Sequence, residues 1–331
     1  MRRREFIAGL SGAAAGWPWA ALAQQARLVG VLMNGNSNEP SLQANLKALI
    51  EGLRDLGWAE GRNLRIEARW NGGNAERARQ FASELIALKP SVIVCASTTN
   101  LLALKNGTNT IPLVFLQVSD PVAQGFADSV TKPGGNATGF SAYEFSIGSK
   151  WLDLLKQMSP AMERVTMMVN PDTSPQSKFF MRSIESAAAG FKMTTEAAPV
   201  RTMEQIERTI QNVGQQRNGG IIIPTDSFTR VRGEQIADNA LKNRVPVIGA
   251  FAEFVDEGGL MFYGPSSVET IAEIFRQAAA YVDRILKGAK PGDLPVQSAS
   301  KFSLFINRKT ATALGLEIPP KLLFTADKVI E

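Results

Sequence analysis

The sequence contains no histidine. That absence excludes Ser-His-Asp and Cys-His nucleophilic catalysis, imidazole-ligated metal sites and the commonest general base near neutral pH. Cysteine is nearly as scarce. Cys95 is the single one, so neither an internal disulfide nor a thiolate zinc site is open to this chain. Its setting in the apolar run VIVCAS reads as that of a buried small hydrophobe. Nucleotide signatures are missing as well: GVLMNGNS follows the first predicted strand where GxGxxG would stand, and GxxxxGK[ST] does not occur. Past the N-terminal segment, no stretch is apolar and long enough to span a bilayer. The chain of 331 residues carries a net charge of +5, and its basic residues are scattered, which argues against a nucleic-acid surface. Carboxylate and lysine chemistry remain, with Asp226 and Glu253 as an acid and base pair in an enzymatic reading. The expectation is a protein that is not an enzyme and needs no cofactor or metal.

What is present begins with MRRREFIAGL. Basic residues, an apolar Ala- and Gly-rich run through Ala23, and the small-x-small ending Ala21-Leu22-Ala23 describe a secretory signal peptide. Arg3-Arg4-Glu5-Phe6-Ile7 fits the paired-arginine form, an address read by a receptor. A membrane anchor is the competing reading, opposed by Gly9, Gly12, Gly16 and Pro18 within the run. The expected mature chain starts at Gln24, carries a net charge of +3 once three arginines and one glutamate are gone, and lies in the periplasm.

The rest alternates apolar strands with amphipathic helices. Leu28–Met33, Leu64–Glu67, Val92–Cys95 and Leu113–Leu116 read as strands, separated by helices with faces such as Leu42, Leu46, Leu49, Leu53 and Leu56. After the turn-rich PGGNATG (residues 133–139) the rhythm restarts, with strands near residues 165–169, 194, 221–223 and 247–248. Continuous apolar strands alternating with helices indicate parallel sheets covered on both faces, here in two doubly wound α/β modules. GGLMFYGPSS (258–267) reads as a joint, followed by a long helix facing inward through Val268, Ile271, Phe275, Ala278, Val282 and Ile285. A loop, a strand at 302–306 and a short helix close the chain. The expected organisation is one lobe from residues 24–141 and 264–298 and another from 142–263 and 299–331, joined by three crossings. Several crossings make a hinge, and a hinge makes a cleft able to close on a ligand.

Six stretches carry a family resemblance: GLRDLGWAEGRNLRIEARW (52–70), IPLVFLQVSDPVAQGF (111–126), PGGNATGFS (133–141), GGLMFYGP (258–265), AAYVDRILKGAKPGDLPV (279–296) and INRKTATALGLEIPP (306–320). In these the chain resembles the periplasmic substrate-binding proteins of ABC transporters, in the family named for tryptophan- and tyrosine-type ligands. SASKFSLF (298–305) departs from the usual acidic, proline-bearing stretch. The resemblance implies a two-lobed protein of type I periplasmic-binding fold that hands a small-molecule ligand to a permease in the inner membrane; the carrier is expected to be a monomer with no nucleic-acid partner.

In open parallel sheets, ligands bind beyond the carboxyl ends of the strands. That rule selects, in the first lobe, residues 34–38 with Asn34 and Ser37, then Ser97, Thr98 and Thr99, then Ser119 with Asp120. In the second lobe it selects residues 170–174, then Thr225 to Ser227 around Asp226, then Phe251 to Glu253. Hydroxyls and free N–H groups at helix starts suit a carboxylate, and Asp226 with Glu253 suits a cation. Helix capping competes at Ser97, Thr98, Thr99, Asp120 and Asp226. Tyr143 and Tyr263 lie at expected crossings, where rings sandwich a flat ligand or pack the hinge. Arg69 and Trp70 are remote candidates, and Trp58 reads as core. Together these point to an amphiphile, an amino acid with an apolar or aromatic side chain. An aromatic carboxylate, or a sensor that reports its ligand to a membrane receptor, are the alternatives.

Overall fold

The computed structural model describes residues 26–265, 268–299 and 301–331; the expected signal peptide lies outside them. The first sheet is built from β1 (Arg27–Met33), β2 (Leu64–Trp70), β3 (Val92–Ala96), β4 (Leu113–Ser119) and β5 (Ala137–Tyr143), alternating with α1 (Pro40–Asp55), α2 (Ala75–Ala87) and α3 (Thr98–Gly107). Local chemistry sets these helix starts. Pro40 opens α1, Asn74 caps α2 by accepting from the Glu76 and Arg77 amides, and Ser97 caps α3 from the Asn100 amide. Every residue of β3 is buried, as expected of a strand covered on both faces.

The chain then builds a second sheet through α4 (Ile147–Met158), β6 (Arg164–Val169), α5 (Ser177–Phe191), β7 (Thr194–Pro199), α6 (Met203–Gln215), β8 (Gly219–Ile223), α7 (Ser227–Arg230), α8 (Gly233–Lys242), β9 (Val247–Gly249), α9 (Glu253–Asp256) and β10 (Met261–Pro265). Next, α10 (Val268–Leu286) packs on the first sheet, placing Phe275, Ala279 and Val282 in one core with Leu49 and Leu53 of α1. β11 (Gln297–Ser298) extends that sheet beside β5. β12 (Phe302–Asn307), α11 (Arg308–Ala313), α12 (Pro320–Thr325) and β13 (Lys328–Ile330) complete the second.

The sheet orders are β11-β5-β4-β3-β1-β2 and β13-β12-β10-β9-β8-β6-β7. All pairings are parallel except β10 with β12. Passage between sheets after β5, β10 and β11 gives the expected three-crossing hinge. Two segments that read as turns are strands. β5 begins inside PGGNATG, because Gly139 serves a close backbone approach: a Cβ there would stand 1.9 Å from the Phe115 carbonyl oxygen. The joint at residues 258–267 contains β10, an interior strand whose Met261 and Phe262 are buried.

Candidate functional site

The carboxyl ends of the strands in both lobes face one another. Thr99 Oγ1 donates to the Thr173 carbonyl at 2.7 Å, and the Ser119 and Thr225 hydroxyls lie 3.2 Å apart. These contacts join the two halves directly, so the lobes are closed. Between them is a cavity of about 50 Å³.

Part of the cavity lining is polar. The first lobe supplies Asn34 after β1, Ser97 and Thr98 after β3, and Gln117 from β4. The second supplies Thr173 and Gln176 after β6 and Thr225 to Ser227 after β8. The rest includes apolar side chains, with Phe251, Phe262 and Pro265 joined by Ile271 and Ile274 of α10. Three first-lobe residues near these strand ends have left-handed backbone. Ser97, Gln117 and Asp120 have φ of 90°, 55° and 35°, a region non-glycine residues enter only when their surroundings hold them there. The Gln117 distortion coincides with a break in β4–β5 register.

Asn34, Ser97, Thr98, Tyr143, Asp226 and Glu253 line the cavity. Several also have structural tasks. Asp226 is 1% exposed. One carboxylate oxygen accepts from the Thr173 hydroxyl and, at 2.9 Å, from the Phe228 amide, capping α7; the other accepts from the Asn170 amide at 2.8 Å. Burial pushes its pKa up, and these hydrogen bonds oppose the rise. The Tyr143 hydroxyl donates to the carbonyl of Ala250, and both residues line the cavity. Burial raises its pKa, so the phenol stays protonated.

Glu253 belongs to a cluster at the cleft's lip. Arg230, with 10% of its side chain exposed, donates to Glu39 of the first lobe at 2.9 Å and to Glu253 of the second at 3.1 Å. Its guanidinium lies 5.6 Å from the Phe251 ring centroid. Burial works to lower the Arg230 pKa, but Glu253 and Glu39 outweigh it and raise the pKa. Beyond this bridge is a recess of about 440 Å³. At its wall, partial burial and the Glu253 charge push Glu257 up to about 7.

Four candidates, Ser37, Thr99, Asp120 and Tyr263, are not among the lining residues of the cavity. Ser37 is exposed and engages only through its carbonyl, which accepts from Gln43. Asp120 accepts from the Ala123 amide at 3.0 Å, the cap that its following proline suggested. Tyr263 lines a separate recess behind the hinge with Lys150 and Phe302. Thr99 joins the lobes through the hydroxyl bond to Thr173 described above. Arg69 pairs with Glu84 and Glu67, and Trp70 packs on the first core. Trp58 is only partly buried and donates to Asp283 at 2.9 Å. Gln117, Gln176, Phe262, Ile271 and Ile274 were not legible as site residues. A lone glutamine inside LVFLQVS is the one signal that marks any of them.

A family model described as ABC transporter substrate binding protein matches residues 33–330. The chain belongs to that family. A curated relative, the tyrosine-binding protein of Clostridioides difficile (strain R20291), is 27% identical over 279 residues, covering 84% of this chain and 78% of the relative. Among solved structures, a conserved domain protein of Vibrio cholerae O1 biovar El Tor superposes with TM-score 0.81 at 28% identity, covering 92% of this chain and 100% of the other. The ABC domain from Streptococcus pneumoniae in complex with L-Trp superposes with TM-score 0.77 at 23% identity and the same coverage, a likeness of fold. This ABC transporter substrate-binding protein has, among its described residues, no helix long and apolar enough to cross a membrane and no cluster of metal-ligating side chains.

Proposed function

We propose that this protein captures an amino acid with an apolar or aromatic side chain outside the cytoplasm and delivers it, as a monomeric carrier, to an ABC permease in the inner membrane. One observation carries the reading: the interlobe cavity has a mixed lining, polar side chains from the strand-end loops together with the apolar Phe251, Phe262, Ile271 and Ile274. An amphiphile satisfies both kinds of lining, and each lobe contributes residues of each kind, so binding stabilises closure. The amides of Thr98, which lines the cavity, and of Thr99 beside it open α3 and meet no acceptor among the described residues. They suit a carboxylate, aided by the helix dipole. The tyrosine-binding relative supports the same ligand class. The segment MRRREFIAGL through Ala23 supports export.

The test is a thermal-shift screen of the mature chain from Gln24 against amino acids and aromatic acids. A ligand that binds only the native state raises its melting temperature. The expected hits are amino acids with apolar or aromatic side chains. A screen in which no amino acid shifts the transition, while sugars or other polar solutes do, overturns the proposal.

A further inference from the structure

Two buried oxygen atoms at the cavity wall have no hydrogen-bond donor: Asn34 Oδ1 and Gln176 Oε1. Their residues are 8% and 3% exposed, so solvent does not substitute. The orientation of Gln176 is fixed chemically. Its Nε2 lies 3.2 Å from both the carbonyl oxygen and Oγ1 of Thr225. A carbonyl only accepts, so the nitrogen faces Thr225, and the oxygen at the opposite end is left without a donor. Asn34 stands on the other lobe, after β1. A third acceptor lines the same cavity. Asp226 is a buried carboxylate that takes three hydrogen bonds but has no ion-pair partner among the described residues.

A buried acceptor left without a donor is unfavourable, and a buried charge wants a counter-charge. Closing the lobes without donors incurs these costs from both sides. A hydroxyl brings one donor. A primary ammonium brings three donors, no acceptor and a positive charge. Building on the amino-acid reading above, we propose that Asn34 and Gln176 are specificity-determining residues: their carboxamide oxygens, one from each lobe, receive the solute's ammonium group and make that group a condition of tight closure. Asp226 supplies the counter-charge. The side chain and carboxylate of the solute contribute affinity, while the ammonium selects amines over their deaminated analogues.

The test is titration calorimetry with matched probes: L-tryptophan against indole-3-propionate, L-tyrosine against 3-(4-hydroxyphenyl)propionate, and L-leucine against 4-methylpentanoate. Wild-type protein binds at least one amine about 100-fold more tightly than its partner lacking the ammonium. Asn34→Leu lowers affinity for that amine tenfold or more and leaves affinity for the partner within threefold, so discrimination collapses. Its side chain makes no hydrogen bond among the described residues, so the substitution removes no other bond. Gln176→Leu gives the same pattern, superimposed on loss of its bonds to Thr225. Equal binding of amine and deaminated probe to wild type, or undiminished discrimination in both variants, overturns this inference and leaves the interlobe cavity standing as the binding site. Failure of all six probes to bind overturns the amino-acid reading, and this inference with it.

Discussion

Asp226 shows how one side chain carries both architecture and recognition. Its carboxylate ties two backbone segments together: the turn after β6, through the Asn170 amide and the Thr173 hydroxyl, and the start of α7, through the Phe228 amide. Removing it leaves the Asn170 amide and the Thr173 hydroxyl without this acceptor and the Phe228 amide with only the Thr173 oxygen at 3.3 Å, so Asp226→Ala is expected to lower unfolding stability by about 3 kcal/mol. Urea denaturation of ligand-free protein reads this directly. A change under about 0.5 kcal/mol would mean that water replaces the carboxylate, contrary to its burial. The sequence made Asp226 conspicuous because an acidic residue directly after IIIP stands at a strand end, where capping and binding both draw carboxylates. It could not divide the residue between those tasks, since that depends on whether Thr173 and Asn170, more than fifty positions earlier, reach it. The same limit hid Gln176. Nothing local separates it from a solvated glutamine; only the approach of Thr225 fixes its amide and strands its oxygen.

At the scale of elements, the strands and helices that follow hydrophobic periodicity were legible, because burial on both faces writes continuous apolar runs such as VIVCA and GGIII. β5 and β10 were hidden by their glycines, which serve close packing and resemble turn signals in isolation. Helix α1 contains a further case, since Gly52 faces α10. A Cβ there would lie 2.9 Å from both the Ala279 Cβ and the Arg276 carbonyl oxygen. Alanine gains roughly 0.5–1 kcal/mol over glycine inside a helix. Forcing atoms into a packed interface costs about 1–3 kcal/mol, and here the obstructing atoms are a backbone oxygen and a Cβ, neither able to rotate away. Gly52→Ala is therefore expected to destabilise by about 1 kcal/mol net, reversing the sign of intrinsic propensity. Thermal unfolding of the two proteins checks the sign, and a raised midpoint would show that α1 and α10 separate without penalty. The contact matters beyond stability, because α10 brings Ile271 and Ile274 to the cavity wall.

For the whole molecule, the two-lobed, three-crossing plan followed from the repeated α/β rhythm and the tail's return, but the device that holds the lobes together did not. Arg230 reaches from the second lobe to Glu39 of the first while Glu253 anchors it from its own side. Local pattern gives no reason to join residues 191 positions apart. The pair exists only when the cleft is shut, so its free energy belongs to the closing equilibrium, and apparent affinity scales with the population of the closed state. Arg230→Met keeps an apolar stem against Phe251 and removes the charge. About 1.4 kcal/mol lost from closure weakens binding tenfold, and that is the expected effect on the best ligand from the thermal screen. Glu39 and Glu253 are each about one-quarter exposed, which keeps the loss below that of breaking a fully buried pair. Screening gives a second readout. Wild-type affinity should fall as salt rises from low to physiological concentration, and the variant's should stay level. X-ray scattering gives a third, since ligand-free Arg230→Met should have a larger radius of gyration than wild type. If affinity, salt response and radius all match wild type, the Arg230 bridge accompanies closure without stabilising it, and the free energy of closing must come from the ligand and the Thr99 and Ser119 contacts alone.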